Sequence, residues 1–161
     1  MPKYASGTSV SVDKSKSEIE NILRRFGASS FAYGWKDGSA IVEFVAGERR
    51  VRFIMKLPSK TEKQFTTRLR YGKEAENDED TIDDLWEQAC RSYWRALVLL
   101  IKAKLAAVEA GITEFEDEFL SHIVVPAGSG RTTTAGEWIK PQLEQAYTGG
   151  GLRELPLLPS G

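Results

Sequence analysis

The first apolar pattern along the chain has the period of a helix. Its positions follow the i, i+3, i+4, i+7 spacing of one helix face: Ile19, Ile22, Leu23 and Phe26. Ser15 and Ser17 each precede a glutamate by three residues, which is the spacing of a capping box, and Gly27 provides a left-handed stop. The pattern predicts an amphipathic helix over residues 15–26.

Between residues 31 and 57 the period changes to two. Asp37-Gly38 and a second turn at residues 46–48 separate three β-rich runs, and Pro58 ends the last one. In the third run, three apolar residues alternate with three cations: Val51, Phe53 and Met55 with Arg50, Arg52 and Lys56. This alternation predicts a three-stranded antiparallel meander with one buried face. We expect Tyr33 and Trp35 to point with Phe31 toward the core.

Residues 58–80 are polar and show no periodic apolar pattern; the first part of the segment is basic and the second acidic. Such a stretch predicts a mobile loop. The following 30 residues, 81–110, carry an apolar pattern with Thr81 as the expected cap, which predicts a helix about 45 Å long. Its apolar middle should be buried on several sides, and a stretch of it is available to pack against a second copy.

Two shorter helices are predicted after Gly111. Thr113 with Glu116, and Thr134 with Glu137, have capping-box spacing. Residues 124–130 between them indicate an extended piece and a glycine-rich loop, and Pro141 should kink or restart the last helix. The fold class is therefore α+β: a helix, the meander, a long helix and two shorter helices. Residues 1–150 form one domain, and residues 151–161 form a flexible Pro/Leu tail.

Composition narrows the function classes. The 161 residues hold 22 Lys+Arg and 23 Asp+Glu, a net charge of -1 that argues against a dedicated nucleic-acid coat but leaves room for a local patch. One Cys and one His exclude a disulfide framework within the chain and a Cys- or His-rich metal site. The start of the chain lacks the apolar core of a signal peptide, and no apolar run approaches the roughly 20 residues of a membrane span. We therefore expect a cytoplasmic protein with no membrane association.

Candidate catalytic groups are few. His122 is the one residue available as a catalytic base, and no motif flanks it, so a partly buried structural histidine is favoured. Glu118 and His122 share a helix face, but the remaining ligands of a metal site are missing. The loop of residues 128–133 has glycines but no phosphate-binding lysine. We expect no catalytic residue, no metal and no cofactor, hence a protein that is not an enzyme.

Basic residues with interleaved aromatics carry the leading hypothesis. They fall on the third strand, in the 58–80 segment and along the long helix. Eight of them and one aromatic residue are candidates for binding nucleic acid or another anion: Arg49, Arg50, Arg52, Lys56, Arg68, Arg70, Tyr71, Arg91 and Arg95. Such a set can hold phosphates and stack bases. The alternative is that these charges serve only the solvated faces of a sheet and a helix, as the i, i+4 pair of Glu87 and Arg91 does.

Four stretches resemble a group of small uncharacterised proteins encoded by tailed phages and bacterial prophages: residues 31–38 (FAYGWKDG), 51–58 (VRFIMKLP), 94–120 (WRALVLLIKAKLAAVEAGITEFEDEFL) and 155–159 (LPLLP). The resemblance implies a phage or prophage setting and a role in the host cytoplasm. Two functions follow as hypotheses. The protein binds nucleic acid or a nucleoprotein during replication, recombination or host takeover. Alternatively, it is an anti-defence adaptor that binds a host immune protein or its nucleotide messenger.

Overall fold

The computed structural model describes Ala5 and residues 7–149, and their fold is α+β as the pattern predicts. The helices are α1 (Val12–Phe26), α2 (Lys63–Thr66), α3 (Glu79–Glu109), α4 (Phe115–Phe119) and α5 (Ala135–Thr148), with a 3-10 turn at Leu120–His122. The strands are β1 (Ser30–Lys36), β2 (Ser39–Ala46), β3 (Arg49–Lys56), β4 (Thr67–Arg70), β5 (Lys73–Glu76), β6 (Val124–Pro126) and β7 (Thr132–Thr134). The predicted tail, residues 151–161, lies outside the described residues.

Helix α1 starts three residues before its predicted start. Ser11 is the N-cap, and its hydroxyl accepts a hydrogen bond from the backbone N–H of Lys14. Ser15, which the spacing suggested as a cap, is buried inside the helix. The C-terminal prediction is confirmed, because Gly27 adopts φ 94° and its N–H closes the last turn.

The predicted meander is confirmed, including which side chains of the third strand face the core. Strands β1, β2 and β3 are antiparallel neighbours, joined by two-residue turns at residues 37–38 and 47–48. Asp37 and Gly38 both have positive φ, as the tight turn requires. Val51 and Phe53 face inward and are buried, while Arg50 and Lys56 face outward and are exposed.

The core lies between the inner face of the sheet and helices α1, α3 and α4. Ile19 of α1 and Val98 and Ile101 of α3 are fully buried against it. Phe119 of α4 meets Phe44 edge-on, with ring centroids 6.0 Å apart, and is itself inaccessible to solvent. This single cluster holds together elements that are distant in sequence.

The 58–80 segment contains short elements where the sequence predicted a loop. Phe65 of α2 is buried, and the side-chain amide of Asn77 donates to the Phe65 carbonyl at 2.7 Å. Strands β4 and β5 form a hairpin that ends in Tyr71 and Gly72. A single buried aromatic leaves no periodic signal in the sequence, which is why these elements were missed. The mobility of the segment stays a prediction.

The later helices confirm one predicted cap and correct two others. Asp78, not Thr81, caps α3, since the Asp78 carboxylate accepts the N–H of Thr81 at 2.8 Å. Thr113 does not cap α4, whose N-cap residue is Glu114. At α5 the capping box of Thr134 and Glu137 is present in both directions.

Helix α5 also runs through Pro141 to Thr148 without restarting, contrary to one of the predicted alternatives. Proline lacks the N–H that would bond the carbonyl four residues earlier, and the rest of the helix remains assembled around that one missing bond. The extended piece predicted after residue 124 is confirmed as β6, which pairs with β7.

We predict that Gly136→Ala destabilises the protein by about 1–3 kcal/mol, the usual range for an overpacked site. A Cβ at Gly136 would lie 2.7 Å from the backbone oxygen of Ser121, where α5 rests on the 3-10 turn. Gly34→Ala is the matched control, because a Cβ there meets nothing within 4 Å. Urea unfolding should show a lower midpoint for Gly136→Ala alone. Equal midpoints would show that α5 does not pack this closely.

Candidate functional site

An aromatic groove opens between the β1 edge of the sheet, the first turns of α1 and the part of α3 that spans residues 86–94. Four rings line it: Tyr33 and Trp35 from β1, and Trp86 and Trp94 from α3. The cavity is about 510 Å³, which lies within the usual size range of small-ligand pockets. We call this site the aromatic groove.

The exposure of the β1 rings corrects a prediction. The pleat turns Tyr33 and Trp35 to the inner face as expected, opposite Val42 and Ala40 of β2. However, Tyr33 is 56% exposed and Trp35 is 88% exposed, so neither is part of the core. β1 is an edge strand, and the buried apolar residues of α1 and α3 pack with β2 and β3. The inner face of β1 therefore remains open as one wall of the groove.

The α3 wall of the groove is held in place by hydrogen bonds and cations. The indole N–H of Trp86 donates to the Pro58 carbonyl at 2.8 Å, and the Lys60 ammonium lies 4.9 Å from the ring centroid of Trp86. Trp94 is buried. The groove thus combines two anchored indoles with the exposed indole of Trp35.

Charged groups stand at the margins of the groove. The Lys16 ammonium lies 4.6 Å from the ring centroid of Tyr33 and 5.2 Å from that of Trp94. Arg91 is 3.6 Å from the carboxylate of Glu87 and donates to Gln88. Burial raises the pKa of the Cys90 thiol, and the nearby Glu87 carboxylate adds to that shift. A thiol with a raised pKa is a poor nucleophile at neutral pH. The groups that the groove offers to a ligand are therefore its aromatic rings and its cations, and not a reactive thiol.

The nine predicted binding residues lie in several places. Arg50, Arg52 and Lys56 share the outer face of the sheet as the alternation predicts, and Arg49 lies at the end of the same strand. Arg91 lines the aromatic groove. Arg95 reaches across to Glu18 on α1. The remaining three are on the β4–β5 hairpin: Arg68, Arg70 and Tyr71.

Several of these cations have carboxylate partners. Arg49 donates to Glu116 at 2.6 Å, and Arg95 pairs with Glu18. Arg50 and Arg52 both donate to Glu43 on β2, Arg52 at 2.7 Å. A phosphate would have to displace these carboxylates. Among the described residues, Lys56 has no ion-pair partner, and neither do the hairpin arginines.

Glu43 is the acceptor that organises the outer face of the sheet. Burial by itself would raise the pKa of this carboxyl, but hydrogen bonds from Arg50 and Arg52 hold it below its ordinary value of 4.5. Arg52 also donates to the hydroxyl of Thr132 at 3.2 Å, which ties β3 to β7. Arg50 and Arg52 thus connect β3 to β2, and Arg52 also connects it to β7, a role that their spacing did not reveal.

The residues weighed for catalysis have structural surroundings. The ring of His122 is stacked on Phe53, with centroids 4.1 Å apart. Glu118, its predicted neighbour on one helix face, instead accepts a hydrogen bond from the Lys104 ammonium at 2.8 Å. Within the described ranges, no group of three or more His, Cys, Asp or Glu side chains is arranged to hold a metal ion. The glycine-rich segment forms the turn between β6 and β7.

No protein-family model matches the chain, and comparisons with curated proteins and with solved structures find no similar protein either. In the part of the chain that the structure describes, no helix is long and apolar enough to cross a membrane.

Sequence reasoning missed the aromatic groove as a site. Tryptophans such as Trp86 and Trp94 on a long apolar helix indicate core positions, and no pattern marks Lys16. The available signal was the alternation of large aromatics with Ala32 and Gly34 along β1, but that pattern does not reveal whether a helix covers the strand.

We predict that Arg52→Ala lowers stability by about 1–2 kcal/mol, between the effects of exposed and buried ion pairs. The substitution removes one of the two guanidinium groups from the partly buried Glu43, and it removes the contact with Thr132. Lys56→Ala is the control on the same face and should leave the unfolding free energy within about 0.5 kcal/mol. Equal losses in urea unfolding would contradict the structural role of Arg52.

We also predict that stability falls as the pH drops below 6.5, and that His122→Phe reduces this fall. Burial lowers the pKa of His122 from its ordinary 6.5, and nearby Lys104 adds to the shift. The unfolded chain therefore takes up the proton first, so this stabilisation is complete above pH 6.5 and declines below it. Urea midpoints at pH 7.5 and 5.5 measure the fall before the carboxylates with lowered pKa titrate. An unchanged difference in the variant would assign the fall to other groups.

Proposed function

We propose that this protein is a non-enzymatic nucleic-acid-binding protein that stacks an unpaired base in the aromatic groove. The observation that carries the proposal is the convergence of four aromatic rings, from two elements distant in sequence, on one open cavity. Stacking on aromatic side chains is the main way in which proteins hold single-stranded bases, and every base offers a ring face for it. Lys16 and Arg91 at the margin support phosphate contacts with such a strand, which would displace the carboxylates of Asp13 and Glu87 that lie 3.8 and 3.6 Å from them.

The β4–β5 hairpin supports the same function. Two residues separate its strand β5 from α3, and Lys60 of the preceding loop contacts both Asp83 and the ring of Trp86. The hairpin is therefore attached beside the α3 wall of the groove. At its tip the Arg70 guanidinium lies 5.8 Å from the centroid of the exposed Tyr71 ring. An aromatic and cationic tip of this kind suits a flexible single strand.

The outer face of the sheet supports a smaller part of the binding. Arg50 and Arg52 are committed to Glu43, and the chain has a net charge of -1. Duplex binding depends on many simultaneous phosphate contacts from free cations. The distribution of charge therefore favours a single strand over a duplex, with Lys56 as an auxiliary contact.

The biological setting remains part of the proposal. The resemblance of residues 31–38, 51–58 and 94–120 to phage and prophage proteins supports a role in phage replication, recombination or host takeover, in the host cytoplasm. The groove also supports the second candidate, an anti-defence adaptor that binds a host nucleotide messenger, since about 510 Å³ is room enough for one nucleotide.

We predict that Trp35→Ala weakens the binding of single-stranded oligonucleotides about fivefold to 150-fold, the range expected for the loss of one base–aromatic stack. Fluorescence anisotropy of labelled single-stranded DNA and RNA measures the affinity, with a duplex of the same sequence for comparison. Trp138→Ala is the matched control, because Trp138 is an exposed tryptophan on α5 away from the groove. Its affinity should equal that of the wild type.

Two further arms separate the candidates. Raising the salt from 50 to 200 mM should weaken oligonucleotide binding, because phosphate contacts release counterions. Unlabelled mononucleotides and a cyclic dinucleotide, added as competitors, test the messenger hypothesis. Competition by a free nucleotide at its own low concentration, together with weak oligonucleotide binding, would favour the second candidate. Equal affinities for wild type and Trp35→Ala would show that the groove does not bind the base.

A further inference from the structure

Strand β1 has an open edge. The sheet order is β1-β2-β3, and on the opposite edge Val51 of β3 forms a bridge with Ile123. No described residue pairs with the outer edge of β1, and six of its seven residues are exposed. An unprotected edge strand is a template for pairing with another strand.

The hairpin register shows which backbone groups are unpaired. Lys36 and Ser39 close a two-residue turn with positive φ at both positions, and such a closing pair is hydrogen-bonded. Backbone groups alternate in direction along a strand, so the N–H and C=O groups of every second residue point toward β2. The others point to the open edge. The outward set consists of Phe31, Tyr33 and Trp35, which present three donors and three acceptors.

The side chains of β1 are arranged symmetrically about Tyr33. Small residues, Ala32 and Gly34, flank it, and aromatic residues, Phe31 and Trp35, stand at the next positions. If a second copy of the strand runs antiparallel with Tyr33 opposite Tyr33, each Phe31 lies opposite a Trp35. All six outward backbone groups of each copy then find partners. The same register places small residues opposite small residues on the other face.

We propose that two copies of this chain pair through β1 to form a dimer with a continuous six-stranded sheet. A two-fold interface must be self-complementary, and the symmetric pattern about Tyr33 meets that condition, whereas a foreign peptide would not require it. Cross-strand aromatic pairs add to the backbone hydrogen bonds. The strand contains no proline and no charge before Lys36 at its end, so it lacks the usual protection against edge pairing. This interface goes beyond the proposed function and does not depend on it.

Site-specific cross-linking tests the register. In the proposed dimer Tyr33 faces its own copy in a hydrogen-bonded pair, where the Cα atoms are about 5.5 Å apart, within the range of a disulfide. Tyr33→Cys should therefore form a covalent dimer under mild oxidation. Ala32→Cys is the matched control, since its partner position is Gly34 and not a second cysteine. The wild type controls for Cys90, which is buried.

Sedimentation equilibrium tests the assembly itself. The wild type, of 17.9 kDa per chain, should show a concentration-dependent mass approaching twice that value. Trp35→Lys should raise the dimer dissociation constant at least tenfold, because it places a charge opposite Phe31. Leu100→Lys, on the exposed side of α3, should leave the constant unchanged and so tests assembly through the long helix. Circular dichroism confirms that each variant is folded.

The outcomes are distinct. Selective cross-linking at residue 33 together with dissociation by Trp35→Lys supports the β1 dimer, whatever the oligonucleotide affinity. A monomer at all concentrations overturns it. Equal cross-linking at positions 32 and 33, or dissociation by Leu100→Lys alone, also overturns it and would place the contact elsewhere on the molecule.

Discussion

Partial coverage of the sheet by its helices is the constraint on which the other features depend. Ile19 of α1 and Val98 and Ile101 of α3 fill the space above β2 and β3, and Phe119 completes that cluster. Among the described residues, none covers the inner face of β1 beyond Tyr33. The sheet therefore has a closed half, which supplies the stability of a packed core, and an open half. Both the aromatic groove and the unpaired edge belong to the open half.

Electrostatics follows the same division. On the outer face, Arg50 and Arg52 both form ion pairs with Glu43. Burial alone would favour the neutral form of this carboxyl, so its negative charge depends on the two arginines. Partly buried charges gain more from a fixed partner than exposed ones do, because less water is available to screen or solvate them. The cations of the closed half are therefore used in the structure. The groove cations Lys16, Lys60 and Arg91 also have carboxylate neighbours, at 3.8, 2.6 and 3.6 Å. Among the described residues, Arg68 and Arg70 on the β4–β5 hairpin have no such partner.

The sequence predicted the features that depend on residues close together in the chain, namely strand faces and some of the helix caps. The two-residue alternation predicted which side chains of β3 face the core, and the capping box predicted that α5 starts at Thr134. The exposure of Trp35 could not be predicted, because alternation assigns a residue to a face and says nothing about whether a distant helix covers it. Phe65 was missed for a related reason, since one buried aromatic creates no period. The partners of Arg52 also lie on other elements, so its spacing indicated exposure but not its ion pair.

The two proposed uses of β1 are compatible because they engage different directions of the strand. Side chains stand roughly perpendicular to a sheet, whereas backbone N–H and C=O groups lie in its plane. The rings of Tyr33 and Trp35 can thus line the groove while the backbone of the same residues pairs with a second copy. In such a dimer the two grooves adjoin across the two-fold axis. A single strand bound in one groove would then reach the other at a high effective concentration, so pairing at the edge would strengthen binding without any new contact to the ligand.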